Sequence, residues 1–271
     1  MLLHQFAFLS AVAASAVAQA TAADIKHIGY ILLPAMEVLD FFGPLSVLNM
    51  LANSAAPMNL SIISLTKDPV TTKLLSPPAT GSVFYQTIVP SHSLADPPKD
   101  LDVLIVPGGP GTRAPIADLQ PYYDFIASEY PKLKYLISVC TGVTFLARAG
   151  VLDGKRATGN KFAWEFVTST GPNVNWVPEA RWVVDGNIWT SSGVAAGMDA
   201  IFGWVRELWG EERAARIANI LEYERHTDPS WDPFAGIWNA TWPLTPTSST
   251  ATTTATTSVT TTDPTTVPAV S

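Results

Sequence analysis

The sequence predicts a three-layer α/β protein, in which a mostly parallel sheet carries helices on both faces. Short runs rich in aliphatic and β-branched residues alternate with segments whose apolar side chains recur at helical spacing, which is typical of a parallel sheet covered by helices. The run 101–106 is almost wholly apolar, as in a strand that is buried on both faces. A glycine-rich segment follows it at 107–111.

The elements follow one another in regular order. The predicted strands are 25–33, 59–66, 101–106, 135–139, 156–158, 180–184 and 188–191, with short extended pieces near 70–75 and 83–89. The last two strands flank Asp185-Gly186-Asn187, whose residues suit the tight turn of a hairpin. The predicted helices are 43–51, 120–130, 141–149, 162–167, 194–209 and 211–224.

Residues 1–20 are expected to be a secretory signal peptide. They are almost uniformly apolar or small, and Ala18-Gln19-Ala20 has the small-x-small form of a cleavage site. The apolar run is too short for a comfortable membrane span. We expect cleavage after Ala20 or Ala22; the alternative is a hydrophobic helix packed on the body of the protein.

Residues 243–271 are expected to be a disordered Ser/Thr-rich tail. From Thr245 onward, Asp263 is the only charged side chain and no large apolar group is present to offset chain entropy. Such stretches are typical of O-glycosylated stalks. Asn59 and Asn239 begin N-glycosylation sequons. Together with the leader, these features predict a secreted protein whose single domain covers residues 24–242.

Composition excludes several function classes. The net charge of −7 argues against binding to nucleic acid or to an anionic membrane. The sequence shows no Cys/His cluster with metal-ligand spacing, and the glycine-rich segment 107–111 lacks the spacing of a dinucleotide fingerprint. Neither a metal nor a cofactor is expected. The single cysteine, Cys140, cannot form an internal disulfide, so it is either a buried filler or a reactive group.

The placement of Cys140 favours the reactive group. Strand 135–139 runs directly into helix 141–149, so Cys140 must lie on a sharp turn, as in a nucleophile elbow. Ser138 and Gly142 are small enough to let the backbones approach closely. The free N–H groups and the dipole at the start of the helix are expected to favour the thiolate, which is the nucleophilic form.

A thiol nucleophile also needs hydrogen-bond donors and a proton carrier. Thr141 offers its amide at the helix start, and Gly108 or Gly109 offers a second one at the carboxyl end of a neighbouring strand, where open α/β sheets bind ligands. Asp40 lies among apolar neighbours after the first strand. Burial would raise the pKa of Asp40 and a helix start would lower it. Asp40 is predicted to be the acid or base; the alternative is a helix cap.

Five motifs in order carry a family resemblance. They are Leu39-Asp40-x2-Gly43-Pro44, Asp102-x3-Val106-Pro107-Gly108-Gly109-x-Gly111, Ser138-Val139-Cys140-Thr141-Gly142, Leu152-x-Gly154-Lys155-Arg156-Ala157-Thr158 and Ser192-Gly193-Val194-Ala195-Ala196-Gly197-Met198-Asp199. Over residues 25–225 the chain resembles the ThiJ/PfpI family, of glutamine-amidotransferase-like fold, and specifically its isonitrile hydratase branch. The resemblance implies a flavodoxin-like sheet.

The resemblance also implies roles for individual residues. Cys140 would be the nucleophile and Asp40 the general acid/base, while the oxyanion and substrate pocket would be formed by Gly108, Gly109, Thr141 and Gly193. The thiolate would attack an isonitrile carbon to give a thioimidate, which water would release as an N-substituted formamide. The implied partners are a small-molecule substrate and a second copy of the chain in a homodimer, without a cofactor.

One departure from the family pattern concerns a histidine. Similar hydratases continue with Thr-His-Trp after the Arg-Ala-Thr strand, whereas this chain continues after Thr158 with Gly159-Asn160-Lys161. The remaining candidates His27, His92 and His226 are expected to be structural or solvated. The departure argues against a Cys-His protease. Two alternatives to the hydratase stay open: a glyoxalase-type activity on α-oxoaldehydes, and a non-catalytic secreted protein that senses thiol oxidation or binds a ligand.

Overall fold

The computed structural model describes residues 20–241. The predicted tail and all of the predicted signal peptide except Ala20 lie outside the described residues. Among the helices of residues 20–241, none is long and apolar enough to cross a membrane.

Eleven strands and seven α-helices make up this part of the chain. The strands are β1 (His27–Ile31), β2 (Asn59–Ser64), β3 (Val70–Thr71), β4 (Thr87–Ile88), β5 (His92–Ser93), β6 (Val103–Val106), β7 (Tyr135–Ser138), β8 (Arg156–Ala157), β9 (Asn175–Trp176), β10 (Trp182–Asp185) and β11 (Ile188–Ser191). The α-helices are α1 (Val38–Ser54), α2 (Ile116–Glu129), α3 (Val143–Arg148), α4 (Trp164–Ser169), α5 (Val194–Trp209), α6 (Glu211–Ile220) and α7 (Phe234–Ile237).

The central sheet has seven strands in the order β10-β11-β7-β6-β1-β2-β5. All neighbours pair in parallel except β10 and β11, which form the predicted antiparallel hairpin. Strands β6 and β7 are buried along their whole length, as expected for strands covered on both faces. Helices α1, α5 and α6 pack against one another, and α2 packs against α3. The predicted α/β class with a mostly parallel sheet is confirmed.

Helix α1 begins five residues before the start predicted from sequence, at Val38 rather than Gly43. Asp40 therefore lies in the first turn of α1, not in the loop ahead of it. Pro44 lies inside α1 and has no N–H to donate to the carbonyl oxygen of Asp40, four residues back. The hydroxyl of the buried Tyr30 donates to that oxygen instead, at 2.6 Å, so the helix continues through the proline.

Other differences concern short elements. His92–Ser93 extends the sheet edge as β5, where no strand was predicted, and α6 ends at Ile220 rather than at residue 224. Helix α7 was not predicted. It belongs to a segment after α6 that returns to the sheet, and the backbone N–H of Arg181 beside β10 donates to the carbonyl oxygen of Pro229.

Candidate active site

Cys140 lies on a turn at the carboxyl edge of the sheet, as the sequence predicts. It follows β7 directly and opens a single 3₁₀ turn, Cys140–Gly142, that leads into α3. Its φ is +60°, a left-handed conformation that non-glycine residues adopt rarely and that is concentrated at functional sites. A Cβ on Gly142 would lie 2.3 Å from the carbonyl oxygen of Val106. Only glycine at that position lets the turn pack directly on β6.

Asp40 is completely buried and faces the thiol. Its Oδ2 accepts a hydrogen bond of 2.9 Å from the Gly108 N–H. Its Oδ1 has no hydrogen-bond partner within residues 20–241, and the neighbouring Cys140 thiol slightly lowers the pKa of this carboxyl. Burial raises the pKa of Asp40 to about 7. The hydrogen bond from Gly108 lowers this pKa and the Glu37 charge raises it, but both effects are smaller than that of burial. A carboxyl group with that pKa can both accept and return a proton at neutral pH.

The surroundings of the thiol correct one expectation. Burial first, and then the Asp40 charge, raise the pKa of Cys140 well above its ordinary value. The Thr141 N–H lowers this pKa, as predicted for a helix start, but its effect is the smaller one. Two negative charges so close together oppose each other, so the two groups titrate as a pair. Above about pH 7, Asp40 is ionised and the pair keeps one proton on the sulfur.

The two glycines after β6 hold the site together rather than offer free donors. The Gly108 N–H is bound to Asp40, and the Gly109 N–H donates to the Thr141 hydroxyl at 2.9 Å. Both amides therefore have partners in the absence of a substrate, and the oxyanion role of Gly108 or Gly109 stays a prediction. Gly109 has a φ of +125°, and a Cβ there would lie 2.2 Å from the Glu37 backbone nitrogen. Glycine lets the loops after β1 and β6 touch.

Asn160 is the site residue that the sequence did not predict. Its Nδ2 donates to the Cys140 sulfur at 3.2 Å, and its Oδ1 accepts from the Ala163 N–H at 3.0 Å, which orients the amide. It lies at the point where the sequence departs from the Thr-His-Trp expected by resemblance, so that departure was the available signal. Gly193, at the start of α5, lies beside it: a Cβ there would be 3.5 Å from Nδ2.

A cavity of about 260 Å³ adjoins these residues, and Asn160 and Gly193 are part of its wall.

The histidines are engaged with other groups, as expected. His27 contacts the Ser61 hydroxyl at 2.8 Å and His226 stacks on Trp231. No group of three or more His, Cys, Asp or Glu residues suited to a metal ion occurs among residues 20–241.

Comparison with known proteins identifies the family. Residues 26–207 match the DJ-1/PfpI family. The chain belongs to that family. Among curated proteins, it is 35% identical over 198 residues to an isonitrile hydratase of Pseudomonas putida, covering 73% of this chain and 78% of the hydratase. It is 34% identical over 112 residues to deglycase PH1704 of Pyrococcus horikoshii, covering 41% of this chain and 61% of the deglycase.

Solved structures agree with this assignment. A THiJ/PfpI family protein from Pseudomonas syringae superimposes with a TM-score of 0.61 at 30% identity, covering 74% of this chain and 76% of that one. Both comparisons confirm the family resemblance and the flavodoxin-like fold of this DJ-1/PfpI protein.

Proposed function

We propose that this DJ-1/PfpI protein is a thiol-dependent hydratase that converts a small isonitrile into an N-substituted formamide. The observation that carries the proposal is the buried Asp40 carboxyl, with a pKa of about 7, facing the thiol of Cys140. The similarity to the hydratase of Pseudomonas putida supports the same reaction class. The known relatives act on different molecules, so the substrate is part of the proposal.

In the first half of the reaction, the ionised Asp40 takes the thiol proton as the sulfur attacks the isonitrile carbon. A carbon–sulfur bond forms and Asp40 passes the proton to the same carbon, which gives a thioimidate, R–N=CH–S–Cys140. The Asn160 amide and the Thr141 N–H stabilise charge on the sulfur while the proton is in transit. Asp40 is left as a carboxylate, ready to act as a base again.

In the second half, Asp40 takes a proton from water as the oxygen attacks the thioimidate carbon. It then delivers this proton to the nitrogen, so the intermediate is R–NH–CH(OH)–S–Cys140. The hydroxyl proton leaves through Asp40 to the sulfur as the carbon–sulfur bond breaks, which releases the formamide R–NH–CHO and restores the thiol. The sum is one isonitrile plus one water, and no electron is gained or lost.

The test is formamide production from cyclohexyl isonitrile by the purified protein. Cys140→Ser and Asp40→Asn are each expected to reduce kcat by at least about a hundredfold, because one removes the nucleophile and the other the base. Asp124→Asn is the matched control, since that aspartate is exposed on α2, and its activity should equal that of the unmodified protein. Full activity in Cys140→Ser would refute the mechanism.

A second candidate is a glyoxalase-type activity on α-oxoaldehydes. The same buried carboxyl is suited to moving a proton between the two carbons of a thiohemiacetal, and the deglycase of Pyrococcus horikoshii is a relative over a shorter length. Parallel assays with methylglyoxal and cyclohexyl isonitrile separate the two reactions. Lactate formation without formamide formation would favour this second candidate.

A non-catalytic thiol sensor fits the site less well. Redox sensors present an accessible thiol with a low pKa, whereas Cys140 is only 5% exposed and its pKa is raised. Ready oxidation of Cys140 by peroxide, found by mass measurement in a protein without turnover, would support the sensor instead.

Export and dimer formation stay predictions. Asn59 and Asn239 are exposed, as glycosylation of a secreted protein requires. The mass of protein collected from the medium of an expressing eukaryotic cell, before and after enzymatic deglycosylation, tests the first prediction. Light scattering of the purified protein tests the second.

A further inference from the structure

A C-terminal strap, residues 228–241, lies beyond the part of the chain that matches the family, which ends at residue 207. Asp232 attaches this strap to the site: its carboxylate lies 3.1 Å from the Lys161 amine and accepts from the Ser192 hydroxyl at 3.0 Å. Further along, the carbonyl oxygen of Thr241 accepts from the Trp164 indole at 2.7 Å. The strap is therefore a packed part of the domain.

The Lys161–Asp232 pair fixes the strap in one position. Both side chains are only 1% exposed. The amine also donates to the Thr158 hydroxyl at 2.7 Å and to the Ala180 carbonyl oxygen at 3.0 Å. Burial lowers the pKa of Lys161 to about 8 while the Asp232 charge opposes that change, so the amine keeps its charge at neutral pH. A buried cation with this many acceptors has little freedom to move.

The strap forms one wall of the 260 Å³ cavity, through Phe234 and Trp238. Phe162 lines the same cavity. The centroids of the Phe162 and Trp238 rings are 4.8 Å apart, and the rings meet edge to face. The first residues of α5, including Val194 and Ala196, complete the apolar lining.

The cavity presents no uncompensated charge to a ligand. Its two cationic lining residues are Lys161 and Arg181. Lys161 is paired with Asp232, and the Arg181 guanidinium donates to the buried Asp199 carboxylate at 2.7 Å. An anionic group would compete with these carboxylates, and a cationic group would face two buried cations. The lining therefore suits a neutral apolar ligand.

Asn160 connects the cavity to the thiol. The residue lines the cavity, and its Nδ2 is 3.2 Å from the Cys140 sulfur. Cys140 is not itself part of the cavity lining, so a molecule whose reactive carbon lies at the sulfur must extend past the Asn160 side chain to reach the cavity.

We propose that the cavity holds the N-substituent of the isonitrile and selects a neutral aryl or cycloalkyl group of about six to eight carbons, with Trp238 and Phe234 as specificity-determining residues. A cavity of about 150 Å³ is enough to bind benzene, so 260 Å³ accommodates a ring with its linking carbon. This inference deepens the proposed hydratase function and rests on it for its turnover test.

The first experiment compares kcat/KM for benzyl isonitrile and methyl isonitrile. Trp238→Ala is expected to lower the value for benzyl isonitrile about tenfold or more while changing the methyl value less than about twofold, since only the larger group reaches the wall. Ile237→Ala is the matched control: it is the neighbouring residue, at the end of α7, is 63% exposed and does not line the cavity. Equal losses on both substrates, or no loss with benzyl isonitrile, would overturn the proposal.

A second experiment tests whether the cavity accepts a charged substituent, with the same benzyl group as the scaffold. An isonitrile with a benzyl group that carries a para-carboxylate is expected to react at least about tenfold less efficiently than benzyl isonitrile, because its charge has no partner in the lining. Equal efficiency would contradict the neutral character assigned to the cavity.

A binding measurement tests the role of the cavity independently of catalysis. N-benzylformamide, the expected product, is titrated into the unmodified protein and into Trp238→Ala and Ile237→Ala by calorimetry. We expect binding that weakens about tenfold in Trp238→Ala only. If that pattern is found without turnover of any isonitrile, the cavity assignment stands and the hydratase function fails. If turnover is found but N-benzylformamide binds all three proteins alike or none, the cavity assignment fails.

Discussion

Asp40 and Cys140 compete for negative charge, and this competition sets the pH at which the site is ready to react. Below about pH 7 both groups are protonated, so no base is available to take the thiol proton. Above that pH Asp40 is ionised while the sulfur keeps its proton, because burial and the Asp40 charge raise the pKa of the thiol. In the proposed mechanism, the reactive form is therefore the one in which the pair holds a single proton.

We expect kcat/KM for isonitrile hydration to rise with pH through a midpoint near 7, which is the pKa of Asp40 in the free protein. The measurement is initial rate against pH from 5 to 9 at low substrate concentration. Glu37→Gln should move the midpoint to lower pH, since the Glu37 charge contributes to the raised pKa. A rate that falls through pH 7 would show that protonated Asp40 is the active form.

Asn160 supports the sulfur through its side-chain amide. Asn160→Ala removes a donor to the sulfur, so it is expected to raise the thiol pKa further and to lower kcat by about tenfold or more. The absorbance of the thiolate near 240 nm, followed against pH, reports the pKa directly. Asn173→Ala is the control, because that exposed asparagine bonds to Asp153 instead. An unchanged titration in Asn160→Ala would remove Asn160 from the mechanism.

The sequence predicts these residues unequally. Cys140 could be identified because a strand meets a helix with no residue between them, and Asp40 because a carboxyl among apolar residues follows a strand that ends at the same edge. Asn160 lies in the irregular stretch between β8 and α4, which is held by long-range contacts of the Lys161 amine with Ala180, Ser192 and Asp232. No local spacing brings it to the sulfur, so only the missing histidine hinted at its importance.

At the scale of elements, helix α1 includes Asp40 because a side chain of β1 replaces the backbone N–H that Pro44 lacks. Pro44 leaves the Asp40 carbonyl oxygen without a helical donor, and the Tyr30 hydroxyl of β1 supplies one. Proline favours the first turn of a helix, so a start at Gly43, just before Pro44, agrees with the local sequence. The compensating hydroxyl lies on a neighbouring element and is not visible in the local pattern.

Tyr30→Phe is expected to lower the free energy of unfolding by about 1–3 kcal/mol, because it leaves a buried carbonyl oxygen without a donor. Urea denaturation followed by circular dichroism measures the change. Tyr85→Phe is the control, since that side chain is 43% exposed and should change stability by less than about 0.5 kcal/mol. Equal stability of the two variants would mean that a water molecule replaces the hydroxyl.

At the scale of the whole molecule, the reactive carboxyl destabilises the fold above acid pH. In the unfolded chain Asp40 ionises near pH 4, whereas in the folded protein it does so at about 7. Below pH 4 both states hold the proton and there is no penalty. The penalty grows between pH 4 and 7, where only the unfolded state has ionised, and is constant above pH 7.

Asp40→Asn is therefore expected to stabilise the protein at pH 8, by up to about 4 kcal/mol, while leaving stability at pH 4 nearly unchanged. The asparagine oxygen can still accept from Gly108, so the loop after β6 keeps its contact. Thermal unfolding of the variant and the unmodified protein at both pH values tests this. A variant that is less stable at pH 8 would show that Asp40 is not buried as a charge.

The overall architecture could be predicted because long apolar runs and the turn at residues 185–187 are local signals. The strap could not, since its attachments join residues far apart in sequence: Asp232 to Lys161, and Thr241 to Trp164. Helix α7 has only four residues, too few for a periodic pattern.

The strap has a consequence for the order in which the parts of the protein fold. Folding during synthesis proceeds from the N-terminal side, so the sheet and the Cys140 turn can assemble while Phe234 and Trp238 have not yet left the ribosome. In that interval the Lys161 amine lacks its carboxylate partner and the cavity lacks the wall that Phe234 and Trp238 form. We therefore expect the Cys140 turn to form before the proposed substrate cavity, which is completed only when the strap packs on the domain.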